Sequence, residues 1–224
     1  MTGYGKALDN AKQMWYGCGM EDLNRTLNEL AAVRGHLARG AYYRGYRASM
    51  VLLTGAVALA AMRLQPLLVP PGQPRLFVAF WVTVAAVNMA VAALAALAIT
   101  RARGAAFARQ QTVSVFGAAM ATVMAGAAVT AGLVVARPDG IVFLPGFWCL
   151  LFAIGIFATL PFLPRAVGWS GVWYFACGVA LLVTADSGLP LSPLGMGVSF
   201  GTGQALCALL LYLFLEKNGH DEEN

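Results

Sequence analysis

The sequence predicts an all-α protein, a polytopic membrane bundle of six transmembrane helices. Three observations predict it. Hydrophobic residues make up 59% of the 224 positions and charged residues only 11%, against roughly 45–50% and about 25% in soluble domains. Mean hydropathy is +0.69, and a soluble chain with so few charges could not cover its surface. Six apolar stretches approach or exceed the ~20 residues that a spanning helix needs, and the basic residues are distributed unequally between the connections.

The six stretches are 47–64, 76–99, 112–135, 143–162, 167–186 and 196–215. Gly and Pro punctuate most of the connections. The first runs from Gln65-Pro66 through Pro70-Pro71-Gly72-Gln73-Pro74, and the third is Arg137-Pro138-Asp139-Gly140. The fourth is Leu163-Pro164-Arg165, and the fifth runs from Ser187-Gly188-Leu189-Pro190 to Pro193. Pro145 and Pro161 fall at the two ends of the fourth span, where a helix tolerates proline or stops.

Orientation follows from lysine and arginine, which concentrate on the cytoplasmic side. With the N-terminus inside, twelve of the 15 basic residues are inside, and only Arg63, Arg75 and Arg137 are outside. Both termini are then cytoplasmic, and an even number of spans is required. Tyr42, Tyr43, Tyr46, Trp169 and Tyr212 fall near the inner interface, Trp81 and Trp148 toward the outer one, as an aromatic belt would place them.

Residues 1–46 form a separate cytoplasmic segment, and 216–224 an acidic cytoplasmic tail. Over 20–40, Leu23, Leu27, Leu30 and Leu37 make a heptad seam interrupted by Arg34. Glu21 and Asp22 near the start and Arg34 and Arg39 near the end complement a helix dipole. This is an amphipathic helix of about five turns. It can lie on the membrane surface, pair with itself or a partner as a short coiled coil, or pack on its own bundle. Arg39, Arg44 and Arg47, among Tyr42, Tyr43 and Tyr46, lead into the first span. Their positions suit contact with anionic lipid headgroups. Nucleic acid is not expected as a partner of Arg34, Arg39, Arg44 and Arg47, set against a membrane.

Polar residues at membrane depth are the default candidates for function, and this chain has few. No Lys, Arg, Asp, Glu or His lies near the middle of any stretch. Proton coupling needs a titratable group on its path, haem needs axial ligands, and an intramembrane metalloprotease needs a histidine pair. None is available at depth, so no catalytic residue, cofactor or metal is expected. Ser199 fits the letters G-x-S-x-G, but that motif acts only at a strand-to-helix elbow with a histidine partner. Both histidines, His36 and His220, lie outside the spans. The four cysteines, Cys18, Cys149, Cys177 and Cys207, have no metal-like spacing. Nothing apolar precedes Cys18 as a signal peptide would require, and the N-terminus is expected to be retained.

Two intramembrane polar residues stand out, Asn88 and Gln204, as sources of interhelical hydrogen bonds or as the lining of a solute path. Gly197 and Gly201, four apart, offer a small-xxx-small surface for close helix packing.

Leu27-Asn28-Glu29-Leu30 through Leu37-Ala38-Arg39-Gly40, followed by Tyr46-Arg47 and Thr54-Gly55-Ala56-Val57-Ala58-Leu59, give the first quarter of the chain a resemblance. It resembles uncharacterised bacterial six-span membrane proteins with an amphipathic cytoplasmic helix before the first span. The resemblance implies a regulatory or accessory role in the bacterial inner membrane.

The sequence therefore leads to a non-enzymatic accessory or regulatory module. Its bundle sits in a bilayer containing anionic lipid, and Leu23, Leu27, Leu30 and Leu37 engage a protein partner or a second copy. The competing expectation is a small transporter or channel subunit for a neutral or apolar solute, for which Asn88 and Gln204 would have to converge on a water-accessible cavity.

Overall fold

The computed structural model describes residues 48–103 and 106–217, with side chains over 48–94, at 97 and 117, and over 120–214. The chain divides into two units, Met1–Tyr42 and Tyr43–Asn224. The N-terminal seam of Leu23, Leu27, Leu30 and Leu37, the arginines Arg39, Arg44 and Arg47, and most of the acidic tail lie outside the described residues.

The described part of the second unit is mainly helical, with no strand among the described residues. Its α-helices are α1 (Ala48–Leu68), α2 (Pro74–Arg103), α3 (Ala106–Ala136), α4 (Leu144–Thr159), α5 (Gly168–Val183) and α6 (Pro193–Leu211). Short 3-10 turns at Pro138–Phe143, Leu160–Phe162, Arg165–Val167 and Ala185–Ser187 join them, and a π-turn over Tyr212–Lys217 extends α6.

Among the described residues, five helical stretches are long and apolar enough to cross a membrane: Ala48–Leu68, Pro74–Leu94, Pro138–Phe162, Arg165–Val183 and Pro193–Phe214. The stretch expected at 112–135 lies within α3. Its apolar described part, Met120–Ala136, is shorter than a span.

The first boundary differs from expectation. The sequence places Gln65-Pro66 in a loop, because the residue before a proline is biased away from helix. In the structure α1 continues through Pro66 to Leu68. Pro66 has no N–H to give the Met62 carbonyl, so α1 loses one bond in its last turn and ends two residues later. The buried residues of α1 are Ala48, Val51, Gly55, Ala58, Ala61 and Gln65. Their spacing of three and four is one helical face, and Gln65 is its last member.

Helix α6 is central. The sequence shows small residues at 195, 197, 199, 201 and 203, and all five are buried. At about 100° per residue this alternation does not make one face. Residues 195, 199 and 203 cluster on one side, 197 and 201 on the opposite side. The structure uses both. Gly197 lies against Met62 and Gly201 against Leu59, both on α1. One turn further, a Cβ at Gly55 of α1 would come within 2.9 Å of Gln204 Cβ and 3.3 Å of the Gly201 carbonyl. The two helices run antiparallel with their backbones close. On the other side, Gly203 lies under the ring of Tyr174 from α5. Helices α4 and α5 cross similarly at Gly146 and Gly178, where a Cβ on either would stand 3.0 Å from the other's carbonyl oxygen.

Three buried clusters stack along the bundle. One end holds Ala61, Val69, Phe77, Val78, Trp81, Ile141, Leu144 and Met196. The middle holds Cys149, Ala153, Tyr174 and Leu181. The other end holds Ala48, Val51, Leu163, Val167, Cys207, Ala208 and Leu211. The first cluster brings the 69–73 and 137–143 connections to one end. Gln65, bonded to Leu191, brings the 184–192 connection there as well. The turns at that end use Gly72 and Gly188, with φ of +80° and +74°, a region that residues with a Cβ rarely enter.

Candidate functional site

The polar side chains of the bundle are few, and their arrangement is the best guide to where function can sit. At the loop-bearing end, Gln65 is buried, and both halves of its amide are engaged. Its Oε1 accepts from the indole N–H of Trp81 at 2.9 Å, and its Nε2 donates to the Leu191 carbonyl at 3.0 Å. One side chain thus ties α1, α2 and the connection into α6. That connection is ordered by its own residues. Ser192 caps α6, its hydroxyl accepting from the Gly195 N–H at 3.2 Å, and donates to the Leu189 carbonyl at 2.6 Å. Pro193 follows at the first helical position, where its missing N–H is harmless.

Of the two tryptophans expected toward the outer interface, Trp81 is buried and not exposed as a belt residue would be. Trp81 is 4% exposed and bonded to Gln65. The half-buried Trp148 donates its indole N–H to Thr130 Oγ1 at 2.9 Å, across from α4 to α3. Each sits where its N–H meets an acceptor within the bundle, which an indole in hydrocarbon requires. Trp169 and Tyr212, by contrast, are exposed.

At mid-bundle, Tyr174 is fully buried, packed with Phe152 and Phe200, and its hydroxyl donates to the Phe200 carbonyl at 3.3 Å. Trp173 donates to the Ser199 carbonyl at 3.2 Å. Ser199, the serine of the G-x-S-x-G letters, is buried inside α6 and donates to the Gly195 carbonyl at 2.6 Å. Cys149, Cys177 and Cys207 are free thiols. Among the described residues no three His, Cys, Asp or Glu side chains group as metal ligands.

Asn88 belongs to the stripe Phe77, Trp81, Val84, Asn88 and Val91, which is the inward side of α2. The stripe is buried at Phe77 and Trp81 and half-buried from Val84 onward. The Asn88 Oδ1 is buried without a hydrogen-bond partner, so the interhelical bond expected there is not made through that oxygen. Gln204 stands on α6 with its Cβ over Gly55 of α1. No hydrogen bond joins it to Asn88, and the two amides lie on different helices within about a turn of the same depth, judged from the Gln65–Trp81 pairing. The groove at the loop-bearing end is elsewhere, lined by Gln73, Pro74, Arg75, Leu76, Pro138 and Ile141.

Sequence reasoning missed Gln65, the polar residue that joins the most elements. The signal was present: Gln65 falls four residues after Ala61 and seven after Ala58, on the small-residue stripe of α1. The following proline masked it.

Fold and composition together define a polytopic helical membrane protein. No family model, curated protein or solved structure matches the chain.

Proposed function

We propose that this chain is a non-enzymatic accessory or regulatory module of a bacterial inner membrane. In this reading α3 completes a six-span bundle and both termini are cytoplasmic. The N-terminal segment then engages a protein partner or a second copy through Leu23, Leu27, Leu30 and Leu37. Arg39, Arg44 and Arg47 rest on anionic headgroups.

One observation carries the reading. Among the described residues, the buried polar side chains Gln65, Thr159, Ser170 and Ser199 each hydrogen-bond to a backbone carbonyl. Gln65 spends its amide joining α1, α2 and the connection into α6, while Thr159, Ser170 and Ser199 bond back to carbonyls three or four residues earlier, so these groups are spent on the fold itself. The recognition surface is then sought in the N-terminal unit, where the leucine seam lies, and each fully buried leucine there would contribute about 1.5–3 kcal/mol to association.

The test is Leu27→Asp with Leu30→Asp in the full chain, read by in-cell crosslinking and by membrane insertion. Loss of a specific crosslinked partner with normal insertion is the expected result. An unchanged crosslinking profile would overturn the proposal. Loss of insertion would show instead that the helix serves its own bundle.

A further inference from the structure

We draw no further inference here: the strongest candidate, the half-buried inward stripe of α2 at mid-bundle where Asn88 Oδ1 is buried without a hydrogen-bond partner, carries nothing because no cavity or donor among the described residues shows what meets it.

Discussion

Gln65 and Trp81, on successive helices, share a buried 2.9 Å hydrogen bond from the indole N–H to the amide oxygen. The same amide donates to Leu191, so the pair holds three segments of chain at one end of the bundle. The bond lies among apolar residues, and removing either partner leaves the other without a substitute.

Gln65→Leu should therefore lower stability in detergent by about 1–3 kcal/mol, the usual cost of an orphaned buried polar group. Trp81→Phe should do likewise, with an added packing loss. The double variant should be less destabilised than the sum of the two, by about 0.6–2 kcal/mol. Thermal unfolding of the four proteins measures this coupling. Strict additivity would mean that the bond contributes nothing.

The α1–α6 contact predicts an order of glycine effects. A methyl at Gly55 meets Gln204 Cβ and the Gly201 carbonyl, atoms that move only if the helices separate. A methyl at Gly201 meets the end of the Leu59 side chain, which is 42% exposed and free to turn outward. Gly55→Ala should be more destabilising than Gly201→Ala. The larger Gly201→Leu should cost about 1–3 kcal/mol by overpacking, and Leu59→Ala should recover part of that loss. Melting temperatures in one detergent decide the order, and equal values for Gly201→Leu and the parent would refute the close contact.

On the opposite face of α6, Gly203 leaves room for a ring that has nowhere else to go. An added Cβ would stand 2.5 Å from Tyr174 Cζ. Tyr174 is fully buried beside Phe152 and Phe200. Gly203→Ala should be more damaging than Tyr174→Phe, which keeps the ring and removes the hydroxyl with its bond to the Phe200 carbonyl, about 0.5–1.5 kcal/mol. A milder effect for Gly203→Ala, by the same thermal assay, would mean that α5 and α6 shift apart easily.

The proposed topology predicts labelling. Single cysteines near Gly72, Asp139 and Pro190 should react with an impermeant thiol reagent from outside the cell. Cysteines near Gly104 and Arg165 and in the tail at 219–224 should react only after permeabilisation. A tail labelled from outside would refute the even number of spans and with it the proposed orientation.

What the sequence determined was the class of molecule and its elements. Apolar length, sparse charge and Pro/Gly punctuation act locally, so α2, α4, α5 and α6 fall close to the predicted stretches, and Pro145 lies in the first turn of α4 as its missing N–H dictates. The small residues of α6 were legible as a packing surface as well. Tertiary structure alone decided that they form two opposed faces, one toward α1 and one toward Tyr174, because a helix converts alternation into two sides and only neighbours reveal that both are used. It also decided where polarity is spent. Trp81 turns inward and Gln65 is buried just before a proline that locally suggests a loop, because in an apolar interior a polar atom is costly without a partner, and the partner here is 16 residues away along the chain. No local pattern records such a pairing.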